Sequence, residues 1–197
     1  GQLETVRKNP AAYRGGRGLT AIFGGVSSYR LWQLATRRIH SQNGSLEEAI
    51  DALEESFGRN LKDTKHNRAR LDELVDGLED YYEDFCKLNH HVIEVAKRLV
   101  VPPIDGLTLS GEIPRIDLVP TGGYAAYFFL KESTKWADEL RMPLVQAWCA
   151  AALHCTRGEV SVGVYVVADG RHESVAYDAN HIAEAERELA DLAHRLK

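Results

Sequence analysis

The sequence predicts an α/β fold in which a central mixed sheet of four to five strands is flanked by helices. Three stretches rich in Val, Ile and aromatic residues, at 91–101, 107–119 and 124–130, are separated by Pro and Gly turn signals, as successive strands are. A segment of helical period follows them at 133–155. The nearly continuous apolar run at 160–168 then has the composition of a strand covered on both faces.

The stretch before these strands is predicted to be helical. The first helix is expected at 29–40, and Ser45 with Glu48 forms a capping box that opens a second helix at 46–57. The longest helix is expected at 67–88, where leucines recur at helical spacing. The three helices together predict an N-terminal helical subdomain.

The end of the chain completes the predicted sheet and adds one helix. Asp169 and Gly170 form a turn signal, after which 172–177 is expected to pair back as an edge strand. Asp178 or Asn180 then caps a last helix. The chain accordingly divides into a basic N-terminal arm at 1–20, a helical subdomain at 21–90 and an α/β core at 91–197.

The composition is that of an ordinary globular protein, because 44% of the 197 residues are hydrophobic. No apolar run approaches the ~20 residues of a membrane span, and the first residues lack a signal-peptide pattern, so we expect a cytoplasmic protein without a membrane partner. No two of the three cysteines, Cys86, Cys149 and Cys155, form a C-x-x-C pair, and an iron–sulfur cluster would need four. We therefore expect neither a zinc site nor an iron–sulfur cluster.

The charge is distributed unevenly along the chain, although the net charge is only −5. Residues 1–40 carry seven Arg or Lys against a single acidic residue, a charge distribution that suits contact with a phosphate backbone and equally suits an acidic protein partner or no partner at all. DNA is expected rather than RNA. The arginines proposed for this contact are Arg14, Arg17, Arg30, Arg37 and Arg115. Residues 46–94 carry 14 Asp or Glu against six Lys or Arg, and this acidic subdomain is expected to bind a basic protein partner.

Two charged residues lie near the ends of predicted strands. Asp117 is close to the end of the second strand, and Lys131 directly follows the third. If they share a cleft, the carboxylate would hold a hard cation such as Mg²⁺ and the lysine would stabilise an anionic transition state. The alternative is an ion pair at the rim of the sheet, which contributes little to stability.

These residues and the order of elements resemble the PD-(D/E)XK nuclease superfamily, in particular its RecB-like branch, which includes the CRISPR adaptation nucleases. The stretch 111–117, Gly-Glu-Ile-Pro-Arg-Ile-Asp, is similar to the strand-two motif of that branch. Lys131 matches the lysine of the third motif, and Gln146 resembles the glutamine of the helix motif. The resemblance covers roughly residues 20–197 and implies a restriction-endonuclease-like core. It also implies that Gln146 faces the cleft, the alternative being a solvent-facing glutamine.

The sequence departs from the family at one metal ligand. The family has an acidic residue two positions before its lysine, and that position is Phe129 here. A phenyl ring cannot bind a cation, so either the metal site is lost or a neighbouring carboxylate such as Glu132 has replaced the missing ligand.

Two functions follow from the resemblance. The first is a catalytically degenerate module that binds nucleic acid, or scaffolds a partner, in DNA repair, recombination or phage defence. The alternative is an active Mg²⁺- or Mn²⁺-dependent deoxyribonuclease. Its metal ligands would be Asp117 and Glu132, and its catalytic residues would be Asp117, Lys131 and Gln146.

Overall fold

The computed structural model describes residues 2–9, 28–41, 44–100, 109–132 and 135–196. The helices of these parts are α1 (Gln2–Lys8), α2 (Ser28–His40), α3 (Leu46–Asn60), α4 (Lys65–Leu88), α5 (Arg141–Leu153) and α6 (Ala179–Arg195). The strands are β1 (His91–Val100), β2 (Ser110–Leu118), β3 (Tyr124–Leu130), β4 (Val160–Val166) and β5 (Arg171–Val175). None of these helices is long and apolar enough to cross a membrane.

The five strands form one sheet in the order β1-β2-β3-β4-β5. β3 and β4 run parallel, and every other neighbouring pair is antiparallel. A parallel pair needs a long crossover connection, which α5 supplies between β3 and β4. The predicted α/β fold, with a mixed five-stranded sheet flanked by helices, is therefore confirmed. The order of three strands, a helix and a strand is also as predicted.

The helix expected at 133–155 is shorter in the structure, where α5 begins only at Arg141. Pro143 is the third residue of α5, a position whose backbone N–H would have no partner within the helix. Before α5, the segment Trp136–Asp138 forms a 3-10 turn, and Trp136 donates a 2.7 Å hydrogen bond to Glu173. Proline therefore stands in the first turn of the helix and does not interrupt it.

Side chains cap three of the helices at their first residues. Ser45 caps α3 as predicted, because its hydroxyl accepts a 3.1 Å hydrogen bond from the Glu48 N–H; the returning bond of the predicted capping box, from the Ser45 N–H to the Glu48 side chain, is not among the hydrogen bonds of the described residues. Thr64 caps α4 through the N–H of Asn67, so this helix begins slightly earlier than the predicted residue 67. Asp178 caps α6 and is the correct choice of the two predicted caps.

One face of the sheet is covered by the N-terminal helices. Trp32 of α2 lies against Phe129 of β3 and Tyr165 of β4, with ring centroids 5.4 Å and 6.3 Å apart. Leu53 of α3 and Leu78 of α4 are fully buried in the same hydrophobic cluster. The segment predicted as a helical subdomain therefore shares its core with the sheet.

The other face of the sheet is covered by α5, with α6 packed outside it. Val162 and Val164 of β4 are fully buried against Met142 and Cys149 of α5. Leu144 of α5 contacts Leu189 of α6 in a smaller cluster. The sheet is thus the middle layer of three, with α2, α3 and α4 on one side and α5 and α6 on the other.

The first residues of the chain form a docked helix, in contrast to the basic arm expected at 1–20. Arg7 of α1 binds Glu188 of α6 through two hydrogen bonds of 2.5 Å and 3.1 Å. Glu4 accepts a 2.6 Å hydrogen bond from the backbone N–H of Leu140, beside the start of α5. Arg14 and Arg17 of the predicted arm lie outside the described residues.

Candidate functional site

Asp117 and Lys131 do not meet in the structure. Asp117 of β2 lies directly opposite Ala125 of β3, and Lys131 follows six residues further along the chain. At ~3.3 Å per residue of strand, this places the two backbones roughly 20 Å apart. Lys131 is exposed, and its nearest carboxylate is that of Glu132, at 3.3 Å. The expectation that Asp117 and Lys131 share one cleft is therefore wrong.

The cause is the short turn between β2 and β3. The Val119 N–H donates a 3.1 Å hydrogen bond to the carbonyl of Gly123, so the turn is closed within five residues. Gly123 has a φ of +97°, and a Cβ there would lie 2.7 Å from the Glu159 carbonyl oxygen. A hairpin pairs residues at equal distances from its turn, and Lys131 lies much further from the turn than Asp117 does.

Asp117 is instead enclosed within the protein. Its side chain is fully buried, and Arg115, two residues earlier on the same face of β2, lies beside it. Oδ1 of Asp117 is 3.0 Å from Nε of Arg115, an ionic contact that is not aligned as a hydrogen bond. Oδ2 accepts a 3.1 Å hydrogen bond from Nδ1 of His90. Both carboxylate oxygens are thus occupied by groups of the protein itself.

Arg115 is the centre of a larger buried arrangement. Its guanidinium donates from Nη1 to the hydroxyl of Tyr81 and from Nη2 to Nε2 of His172, the latter over 3.3 Å. The guanidinium carbon also lies 4.3 Å from the ring centroid of Tyr127 and 4.8 Å from that of Phe85. These aromatic faces stabilise a cation that water does not reach. Arg115 is only 1% exposed, so it cannot contribute to the nucleic-acid surface for which it was predicted.

Two further hydrogen bonds extend the arrangement into the helices. The hydroxyl of Tyr81 lies 2.5 Å from Nε2 of His40, and Nδ1 of His172 lies 2.6 Å from a carboxylate oxygen of Asp84. We call the connected set of buried and half-buried polar side chains the Arg115 network. Its members are His40 of α2, Tyr81 and Asp84 of α4, His90 directly before β1, Arg115 and Asp117 of β2, and His172 of β5.

The direction of hydrogen bonding in the Arg115 network is determined by its arginine. A guanidinium only donates, so Nε2 of His172 accepts from Arg115, and His172 carries its proton on Nδ1, which donates to Asp84. The Tyr81 oxygen likewise accepts from Arg115, which leaves its own proton to donate to Nε2 of His40. Both histidines are therefore neutral in this arrangement.

The pKa shifts of the two histidines agree with their being neutral. Burial lowers the pKa of His172 to about 4, with the nearby Asp84 carboxylate acting in the opposite direction. Burial also lowers the pKa of His40 well below its ordinary value, and the positive charge of Arg115 acts in the same direction. Burial raises the pKa of Asp117, against the opposing influence of Arg115 and His90. Desolvation is the leading cause in all three cases.

The predicted metal ligands do not fit a magnesium ion. Mg²⁺ requires several oxygen ligands in octahedral geometry and retains some of its water. The Asp117 carboxylate is fully buried and already contacts Arg115 and His90. Glu132 directly follows Lys131 in the chain, so it lies on the order of 20 Å away. No step of metal-dependent hydrolysis can be derived from this pair.

Gln146 has a different position from either of those expected for it. Its side chain is fully buried in α5, where Nε2 donates to the carbonyl oxygens of Arg157 and Tyr177, both at 2.9 Å. Its Oε1 accepts a 2.8 Å hydrogen bond from the N–H of Tyr177. Gln146 thus connects α5 to the segments before β4 and after β5, and it faces neither a cleft nor the solvent.

The predicted arginines Arg30 and Arg37 lie on the outer side of α2, together with Arg38, which was not among the predicted contacts. Arg30 and Arg38 are exposed, and Arg37 is half-buried. Glu112 of β2 lies 2.6 Å from Arg37 and 3.8 Å from Arg30, which neutralises part of this charge. Leu34, in the same exposed row, is 37% exposed. α2 therefore presents a basic face with one apolar side chain among its arginines.

Five members of the Arg115 network were not among the site residues predicted from the sequence: His40, Tyr81, Asp84, His90 and His172. His40 and Tyr81 carry a usable signal, because His40 falls on the buried stripe of α2 and Tyr81 on that of α4. A polar side chain on an apolar stripe indicates a buried hydrogen-bond partner. The others are joined across large sequence separations, 88 residues between Asp84 and His172, which one-dimensional patterns do not reveal.

Comparison with known proteins adds no family assignment. No protein-family model matches the chain. No curated protein is significantly similar to it in sequence. The resemblance to PD-(D/E)XK nucleases therefore depends on short motifs and on the order of elements, and the expected meeting of two of those motifs, at Asp117 and Lys131, is not found.

Proposed function

We propose that this protein is a non-cleaving module that binds nucleic acid through the exposed basic face of α2. The observation that carries the proposal is the row formed by Arg30, Arg37 and Arg38 on the outer side of that helix. Arginines on an accessible surface contact the phosphates of a nucleic-acid backbone. DNA is the expected ligand, and Leu34 within the row provides an apolar contact with sugar or base.

The proposal excludes cleavage because of the surroundings of Asp117. The Asp117 carboxylate is fully buried and contacts Arg115 on one oxygen and His90 on the other, so a hydrated metal ion would have to displace these partners to reach it. Displacing the arginine would leave a buried charge without its partner, which costs several kcal/mol. The order of elements supports a nuclease-like fold, and this fold would serve here as a scaffold for binding.

The acidic helices support a defined binding orientation. α3 carries five acidic residues and one basic residue, and α4 carries seven acidic residues and four basic ones. The acidic residues of α3 are all exposed. Such a surface repels a polyanion, so nucleic acid would approach from the side of α2. The same surface is where we propose that a basic protein partner binds.

The binding proposal is tested by fluorescence anisotropy with labelled single- and double-stranded DNA and RNA over a range of salt concentrations. We expect the logarithm of the binding constant to fall linearly with the logarithm of the salt concentration. In the variant Arg30→Ala/Arg38→Ala, the loss of two phosphate contacts should reduce that slope by about 2.

The matched control for this experiment is Arg187→Ala/Arg195→Ala on α6, on the opposite side of the sheet. It removes the same charge from the protein and should leave the salt slope unchanged. Equal effects of the two double variants would show that only net charge matters and would contradict an interface on α2. Nucleic acid recovered from the complex after incubation with Mg²⁺ should be intact.

A further inference from the structure

The Arg115 network connects two layers of the protein. His40 belongs to α2, Tyr81 and Asp84 belong to α4, and Arg115 and His172 belong to the sheet. Side-chain hydrogen bonds run between these layers from Arg115 to Tyr81 and from His172 to Asp84, and the bond from Tyr81 to His40 joins α4 to α2 within the helical layer. Any change that reverses one of these bonds acts directly on the contact between the helices and the sheet.

A proton added to either histidine reverses a bond. On His172 it would place an N–H at Nε2, directed at the Nη2 group of Arg115, which already donates over 3.3 Å. On His40 it would place an N–H against the Tyr81 hydroxyl at 2.5 Å. The Tyr81 proton would then need another acceptor, although Arg115 already donates to the same oxygen. Each protonation leaves two donors face to face in a buried site, which is costly.

The charges around His172 do not compensate fully for this cost. Asp84 of α4 favours the protonated ring, but its side chain is 30% exposed, which weakens the interaction. Arg115 of β2 opposes protonation and is buried. The other titratable or charged groups that face the ring, or neighbour it on its own strand, are Tyr81, Tyr127, Tyr165, His90, Arg171 and Glu173.

His40 has no carboxylate partner among its described contacts. It is faced by Tyr81 and Phe85 of α4 and by Phe129 of β3, with ring centroids 5.4 to 6.3 Å away. The charged or titratable groups that act on it from the sheet are Arg115 and His172. A proton on His40 would therefore add positive charge to a site that already contains an arginine.

We propose that the Arg115 network holds α2 and α4 on the sheet only while His40 and His172 are neutral, so that mild acid loosens this helical layer. This pH effect acts at the contact between the helices and the sheet, and the proposal does not depend on nucleic-acid binding.

The sign of the effect follows from the lowered pKa values. A histidine whose pKa is lower in the folded protein than its unfolded value of ~6.5 binds more protons when the layer opens. Its contribution to stability is therefore complete above pH 6.5 and declines as the pH falls toward the folded pKa, which is about 4 for His172. Asp117 has a raised pKa, mainly because of burial, and therefore acts in the opposite direction.

The test is hydrogen–deuterium exchange of the intact protein at pH 7 and pH 5, corrected for intrinsic exchange rates. For His172 alone, the two pKa values give an opening equilibrium about twentyfold larger at pH 5 than at pH 7. Peptides from α2 and α4 should lose protection by a factor of this order, and peptides from α5 and α6 should lose less. Equal loss of protection in all helices would contradict the proposal.

Non-titrating variants isolate the histidines. In His172→Gln and His40→Gln, the amide keeps an acceptor in the network and does not gain a proton, so the difference between pH 7 and pH 5 in α2 and α4 should shrink severalfold. The matched control is His66→Gln, at an exposed position on α4, which should behave like the wild type. An unchanged pH dependence in both network variants would overturn the proposal.

The wild type provides a measurement that does not depend on how the variants fold. Nitrogen-detected NMR of the imidazole rings should show His172 as the Nδ1–H tautomer, without titration between pH 7 and pH 5.5. A cationic His172 at pH 6, or the Nε2–H tautomer at pH 7, would be incompatible with a proton placement imposed by Arg115.

Discussion

Arg115 shows how a residue predicted at the surface becomes part of the interior. It belongs to the motif 111–117 that resembles a nuclease strand, and a basic residue in such a motif is expected near phosphate. In the structure it is buried under Tyr127 and Phe85 and contacts Asp117. The planar guanidinium permits this, because it donates in several directions and packs its faces against aromatic rings.

We expect Arg115→Met to lower the free energy of unfolding by about 3–5 kcal/mol, because it leaves the buried Asp117 carboxylate without its cationic partner. The double variant Arg115→Met/Asp117→Asn removes the uncompensated charge and should regain part of the loss. Urea unfolding of both variants measures the difference. A single variant that costs less than 1 kcal/mol would show that the ion pair does not hold Asp117 in place.

The surroundings of Gln146 and Asp117 also differ from those expected, and one reason accounts for both residues. Sequence spacing predicts which face of an element a side chain lies on, but it does not predict what covers that face. Gln146 is covered by the segments that contain Arg157 and Tyr177, and Asp117 by the side chains of Arg115 and His90. Both residues therefore serve packing and hydrogen bonding in positions that resemble those of functional groups.

At the scale of elements, the strands and most helices could be predicted from the sequence. β1, β3 and β4 contain runs of Val, Ile and aromatic residues, which are typical of strands. α3 has both an N-cap residue and a buried apolar stripe, which are typical of a helix. The helix at 133–155 was predicted too long because apolar residues at about helical spacing continue before Pro143. Periodicity alone did not distinguish the 3-10 turn at Trp136 from the helix that follows it.

Strand register is the property that could not be predicted and that matters most for the site. Whether Asp117 meets Lys131 depends on which residues form the turn between β2 and β3, and moving that turn by one residue changes every pair of the hairpin. The actual turn, between Val119 and Gly123, brings Asp117 opposite Ala125. A motif match along the sequence contains no information about this choice.

At the scale of the whole molecule, the three layers depend on one another. The helical segment ahead of β1 covers Phe129 and Tyr165 of the sheet, and its α4 supplies Tyr81 and Asp84 to the Arg115 network. The network therefore lies at the boundary between the predicted subdomain at 21–90 and the predicted core at 91–197. Neither part alone contains all the residues that form the hydrogen bonds of the Arg115 network.

We accordingly expect the fragment 91–197 to remain unfolded when expressed without the helices. Its sheet would expose the aromatic face around Phe129 and a buried charge pair, Arg115 and Asp117, to solvent. Circular dichroism and proton NMR of the fragment test this expectation, with the full chain as the control. A dispersed NMR spectrum from the fragment alone would show that the core is an independent domain.

The most direct test of the account is a calorimetric titration of the intact 197-residue chain with Mn²⁺, compared with the variant Asp117→Asn. If Arg115 and His90 occupy the Asp117 carboxylate, both proteins should give the same heats, with no saturable binding that depends on this residue. Saturable binding of Mn²⁺ by the wild type that is lost in Asp117→Asn would mean that the carboxylate opens to metal, and it would contradict a non-cleaving function.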